Sequence, residues 1–142
     1  MSLEPFQGWL ILAFLGVSIC MMDIKWRYIS NKLVLLVFLI SWSLFDSSSE
    51  ISYYIASGVF FSFLYAANII AGGDLKLILA FLPGVNTEYM LSTICLMGIL
   101  GGCVALLCFL YGFSKKDWLE THGLPYGVAI VSGFLVGSAA SL

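Results

Sequence analysis

Asp23 and Asp74 are the residues of this chain whose type and setting could do chemistry. Asp23 closes the apolar run Trp9 to Met22, and Asp74 follows the glycine pair in Ala71-Gly72-Gly73-Asp74-Leu75-Lys76-Leu77. Acids beside long apolar segments are costly to keep there and point to a role. Two carboxylates held within a few Å cannot both ionise cheaply, so such a pair shares one proton. The ionised acid can then draw a proton from water while the protonated one polarises a carbonyl, which is what hydrolysis of a peptide bond requires. Two plainer readings stand beside this one. Asp74 could cap the helix that begins at Leu75, with Gly72-Gly73 as its turn. Asp23 could pair with Lys25 or Arg27 at a membrane surface, an interaction worth little.

The elements that must position these acids follow from composition. The chain has 142 residues, 61% of them hydrophobic and only 10% charged, with a mean hydropathy of +1.05. Such a balance belongs to an integral membrane protein. The net charge is -2 and the basic residues are scattered, which excludes a basic patch for nucleic acid. Apolar runs fall at Phe6 to Met22, Leu33 to Phe45, Ile51 to Ala71, Leu75 to Leu82, Tyr89 to Phe113 and Leu124 to Leu142. None alternates with the period of a barrel strand, and a bilayer requires backbone groups to be satisfied internally, so the expectation is an all-α, polytopic transmembrane bundle of about six helices. Residues 1–142 read as a single domain without repeat or linker. The fourth run is short: about 8 residues make ~12 Å of helix against a hydrocarbon core of ~30 Å. It is a half-helix, a re-entrant piece, or a crossing completed through Pro83 to Tyr89.

Charge arbitrates among these. If the fourth run crosses, Lys25, Arg27, Lys32, Lys76, Lys115 and Lys116, all six Lys and Arg residues of the chain, share one face. The positive-inside rule makes that face cytoplasmic and puts both termini outside. Glu4, Asp46, Glu50 and Glu88 then lie opposite. Asp23 leaves the first helix, and Asp74 enters the fourth, at the same cytoplasmic depth. No basic stretch precedes the first apolar run and no small-residue cleavage site follows it, so that run reads as a permanent helix and not a signal peptide.

Other residues offer less. Cys20, Cys95, Cys103 and Cys108 lie in apolar runs without Cys-x-x-Cys spacing, and His122 stands alone. They read as small buried hydrophobes, with neither metal nor disulfide expected. The glycine pairs Gly72-Gly73 and Gly101-Gly102 lack the Lys-Ser/Thr ending of a phosphate loop. Gly98, Gly101 and Gly102 are expected to let helices approach closely. Gly72 and Gly73 would leave room beside Asp74 for an extended substrate and let the chain bend into the next helix.

Three stretches together resemble the type IV prepilin peptidases, in the short form that accompanies tight-adherence (Flp) pili. Asp23-Ile24-Lys25-Trp26-Arg27-Tyr28-Ile29-Ser30-Asn31-Lys32-Leu33 is similar to that family's aspartate followed by Ile-Pro-Asn-x-Leu. Gly72-Gly73-Asp74-Leu75-Lys76-Leu77 is similar to its Gly-x-Gly-Asp motif with the trailing Lys-Leu. Leu124-Pro125-Tyr126-Gly127-Val128-Ala129-Ile130 is similar to the Pro-Tyr-Gly-x-Ala segment opening its last helix. Ala71 stands where the first glycine of Gly-x-Gly-Asp would be, and Ser30 replaces the proline of Ile-Pro-Asn.

The resemblance implies a bacterial inner-membrane aspartyl endopeptidase that removes the short basic leader of a prepilin at the cytoplasmic face, with Asp23 and Asp74 as its catalytic acids. It implies no cofactor: the long members' cytoplasmic domain with paired cysteines has no counterpart here, so no S-adenosylmethionine and no methyl transfer are expected. Around the acids, Gly72, Gly73, Lys76, Asn31, Pro125, Tyr126 and Gly127 are the candidate site-shaping or substrate-binding residues. Lys76 could hold one acid ionised or meet substrate, or snorkel as a surface anchor. Asn31 is expected to cap the second helix, and Tyr126 either donates its hydroxyl into the site or serves at the membrane interface. Readings from other classes are a small proton-coupled translocation subunit with relay acids and a catalytically inactive membrane scaffold. The partners expected are a prepilin and the lipid bilayer.

Overall fold

The computed structural model describes residues 4–26, 28–44, 51–112 and 125–142, and among these all regular structure is helical. The α-helices are α1 (Pro5–Trp26), α2 (Asn31–Ser43), α3 (Ile51–Ala66), α4 (Gly72–Phe81), α5 (Thr87–Gly112) and α6 (Tyr126–Ala140), with a 3-10 turn at Leu82–Gly84 between α4 and α5. Arg27, Asp46, Glu50, Lys115, Lys116, Glu120, His122 and Leu124 lie outside the described residues. Two helices, α1 and α5, are long and apolar enough to cross a membrane, whereas α2, α3 and α6 are apolar but shorter.

Burial divides the helices sharply. The side of α6 made of Gly127, Ala129, Ile130, Val131, Gly133, Phe134, Gly137 and Ser138 is buried, and α6 packs on α1, α4 and α5. Small residues set how close these helices come. A Cβ on Gly133 would meet the backbone of Met97 at 3.0 Å, and one on Gly16 would meet Val131 Cγ1 at 2.6 Å. Phe81 of α4 stacks on Phe134 of α6 with centroids 5.7 Å apart. Between helices, Trp9 Nε1 donates to the Leu135 carbonyl at 3.0 Å, and beyond the end of α6 the Asn86 amide donates to Ser141 Oγ at 2.9 Å.

The short fourth run is explained by its place. In α4 and the turn after it, Leu77, Ile78, Ala80, Phe81, Leu82, Pro83, Gly84 and Val85 are all buried. Ten residues of α-helix give about 15 Å of length, and the 3-10 turn adds about 6 Å at ~2 Å per residue. A segment wrapped by other helices on this scale has its backbone shielded by protein rather than by its own length. By contrast, α3 buries only Phe61, tied inward by the Tyr54 hydroxyl donating to the Val85 carbonyl at 2.8 Å. Outer faces carry many large exposed apolar side chains, among them Phe14 at 74% and Leu91 at 73% exposure.

Some sequence expectations need correction. The third apolar run does not remain helical to Ala71: α3 stops at Ala66, and Asn68 takes φ 58°. The Asn68 amide donates to the Tyr65 carbonyl at 2.9 Å and the Ile69 amide to the Leu64 carbonyl at 3.0 Å. That is the paired closure of a helix C-terminus around a left-handed residue, a place where asparagine substitutes for glycine. Of the three α5 glycines expected to seat a neighbouring helix, only Gly101 does; Gly98 and Gly102 have nothing within 4 Å. The cysteines are not core residues either, since Cys95 and Cys103 are exposed and Cys20 and Cys108 only half-buried. All-round apolar helices give no periodicity from which a facing side could be read.

Candidate active site

The two acids reach one place from different helices. Asp23 sits in the last turn of α1 and is only 7% exposed. A negative charge at a helix C-terminus is unfavourable, and burial adds to the cost. Its compensation comes from across the fold: the Gly127 backbone N–H donates to Asp23 Oδ2 at 2.9 Å. Gly127 is the second residue of α6, whose N-cap position is Pro125, which brings no side-chain cap. The carboxylate of α1 therefore serves as the missing cap of α6, where helix polarity favours an anion. Glycine is needed here by space, because a Cβ on Gly127 would stand 2.8 Å from Asp23 Oδ2 and 3.1 Å from Cγ.

Asp74 arrives on α4. The helix starts at Gly72 with Ala71 at its N-cap, which places Asp74 in the first turn and not at the cap, so the reading of Asp74 as the cap of a helix beginning at Leu75 does not hold. A carboxylate there is still favoured by the helix dipole. Asp74 is half-buried and lies within reach of the Asp23 charge. The two acids, distant in sequence, thus lie at the same end of α6: Asp23 on Gly127 and Asp74 in the pocket of Tyr126. With Ile69, Ile70, Ala71 and Tyr126, Asp74 lines a pocket of about 440 Å³.

Neither departure from the family pattern distorts the backbone. Ala71 has φ -76° and ψ 152°, an extended conformation open to any residue. Ser30, at the N-cap of α2, has φ -67°, the value that a proline ring would impose. Gly72 and Gly73 are helical residues, and the bend that they were expected to make lies earlier, around Asn68. A Cβ on Gly72 would come 3.4 Å from the Tyr65 ring, and one on Gly73 3.7 Å from Ile29 Cδ1. Gly73 borders a second pocket, of about 290 Å³, with Tyr28, Ile29, Asn31, Val34 and Lys76.

The remaining candidates sort by position. Asn31 is the first residue of α2, not its cap, and its Oδ1 accepts a hydrogen bond from Lys76 Nζ at 3.4 Å. Lys76 thereby faces α2, and both side chains are exposed. Lys25 stands over the ring of its neighbour Trp26, 4.7 Å from the centroid. Tyr126 is drawn into the molecule: half-buried, it lies on Gly101 of α5, where a Cβ would come within 2.5 Å of the phenol, and the charge of Asp74 acts on it. Gly101 escaped the sequence as a site residue because nothing in the α5 run tells its faces apart.

Three helices, α1, α4 and α6, thus converge their ends on one cluster of Asp23, Asp74, Tyr126 and Gly127. Chemically it offers two carboxyls, one fixed by a backbone N–H and the other lining a pocket with Tyr126, Ile69, Ile70 and Ala71. No family model, no curated protein and no solved structure matches this chain.

Proposed function

We propose that the chain is a membrane aspartyl endopeptidase that removes the basic leader from prepilins of the Flp type at the cytoplasmic face of the bacterial inner membrane. The observation that carries the proposal is the convergence of two acids far apart in sequence on the first turn of α6: Asp23 accepts from the Gly127 amide, and Asp74 lines a pocket with the adjacent Tyr126. The resemblance of three separate stretches to prepilin peptidases supplies the substrate. The exposed apolar side chains of α1, α3 and α5 agree with a surface made for lipid, since water-soluble monomers seldom carry large contiguous apolar patches. In this reading six segments cross the bilayer, both termini lie outside, and α4 crosses inside a sleeve of other helices.

The chemistry follows from one proton shared by two carboxyls. The ionised acid takes a proton from water as its oxygen adds to the scissile carbonyl carbon. The protonated acid gives its proton to the carbonyl oxygen, leaving a neutral tetrahedral diol. On collapse, the acid that accepted the water proton passes it to the leaving nitrogen, the C–N bond breaks, and one hydroxyl proton returns to the partner acid. The products are a carboxylic acid and an amine, and the dyad again holds one proton.

A purely structural role for Asp23 as the cap of α6 makes a different demand, because asparagine caps a helix as well as aspartate. The test is co-expression with a candidate prepilin, scoring leader removal by gel shift, with Asp23→Asn and Asp74→Asn as variants. Each is expected to abolish cleavage while remaining in the membrane. Near-normal processing by either variant overturns the proposal.

A further inference from the structure

We propose that Tyr126 is a third catalytic residue, whose hydroxyl donates a hydrogen bond to the scissile carbonyl oxygen, and that Gly101 of α5 is the positioning residue that seats its ring. The inference rests on the dyad reading and adds to it a donor that the two acids do not supply.

Three observations converge on it. Tyr126 and Asp74 line the same pocket. The ring occupies the space above Gly101 that any other residue's Cβ would claim, with Cε2 and the hydroxyl oxygen both 2.5 Å from that point. Tyr126 is half-buried, and the charge of Asp74 reaches its phenol. Packing alone would be served by phenylalanine, which fills the same space; a tyrosine hydroxyl beside a pocket is placed to hydrogen-bond what enters it. A peptide carbonyl in the pocket would be its partner.

The chemistry has room for it. As water adds to the carbonyl carbon, charge grows on the carbonyl oxygen, which has two lone pairs. The protonated acid engages one and finally transfers its proton; the phenol engages the other and keeps its own. A donor aimed where charge develops acts on the transition state more than on bound substrate. Gly101 enters because the first turn of α6 must carry Gly127 to Asp23 and Tyr126 to Asp74 at once, and an α5 residue with a side chain would push the ring away from its place.

The test uses the full-length protein reconstituted in nanodiscs with a synthetic prepilin peptide, comparing wild type, Tyr126→Phe, Gly101→Ala, the double variant and Asp74→Asn. Tyr126→Phe keeps the ring and its seat, so fold and KM are expected to stay while kcat drops by about 10²-fold. Gly101→Ala is expected to lower kcat too, and the double variant to fall no further than the worse single one, because both changes remove one interaction. A Tyr126→Phe kcat within about threefold of wild type overturns the catalytic assignment, and it does so independently of whether Gly101→Ala folds. Losses that multiply in the double variant overturn the positioning role of Gly101. Asp74→Asn separates the two levels: if it is inactive while Tyr126→Phe is normal, the dyad stands and Tyr126 falls, whereas an active Asp74→Asn removes both.

Discussion

Gly127 and Asp23 hold each other in place: the amide of one donates to the carboxylate of the other at 2.9 Å, with no room for a Cβ between them. One bond thereby caps α6, offsets a charge at the end of α1 and orients one member of the proposed dyad. Substitutions at its two ends separate these roles.

At the acid end, Asp23→Asn preserves an acceptor for the Gly127 amide and Asp23→Ala removes it. The alanine variant is expected to be less stable than the asparagine variant by about 1 kcal/mol, the usual worth of an N-cap, and neither is expected to cleave. Thermal unfolding in detergent together with a gel-shift assay reads both quantities. Equal stability of the two variants would remove the capping role.

At the glycine end, Gly127→Ala puts a methyl 2.8 Å from Asp23 Oδ2. The carboxylate must shift or rotate, and a displacement near 1 Å at a catalytic group costs about 10²-fold in rate. Single-turnover cleavage is expected to slow to that degree while the α-helical circular dichroism is retained. An unchanged rate would mean that the position of Asp23 is not set by this contact.

The α3 terminus allows a test of backbone conformation alone. Asn68 has φ 58°, a region where a Cβ costs roughly 1–2 kcal/mol. Asn68→Gly is expected to be neutral or mildly stabilising, and Asn68→Ala to lower stability by about 1 kcal/mol. Denaturant unfolding of the two variants decides it, and alanine matching glycine would rule out the left-handed closure.

Ser30 provides the opposite case. Its φ of -67° already suits proline, so Ser30→Pro is expected to raise stability by about 0.4–1 kcal/mol through the unfolded chain, with cleavage unchanged. A destabilised Ser30→Pro would show that the segment entering α2 departs from this geometry.

How much of this was legible in the sequence depends on the kind of signal. Asp23 and Asp74 stood out because acids are rare in so apolar a chain and each stands at the edge of an apolar run. The helical class followed from the same runs. What stayed hidden was rotation about the helix axes. In α5, Gly98, Gly101 and Gly102 are chemically alike, and only tertiary packing makes Gly101 the seat of Tyr126 while the others face open space. Asn31 was expected to cap α2, but the chain entered one residue earlier and left Asn31 to accept from Lys76. The end of α3 was missed because an asparagine inside an apolar run signals a helix stop less strongly than a glycine.

The glycine contacts of α6 have a consequence for how the site keeps its geometry. Gly133 rests on the backbone of Met97, while Gly127, upstream in the same helix, meets Asp23. The helix between them acts as a ruler with both ends clamped. One residue inserted between Val128 and Ser132 would turn the first turn of α6 by about 100° relative to the clamp, carrying Tyr126 and Gly127 out of phase together. The site's tolerance is thus a matter of helical phase as much as of side-chain identity.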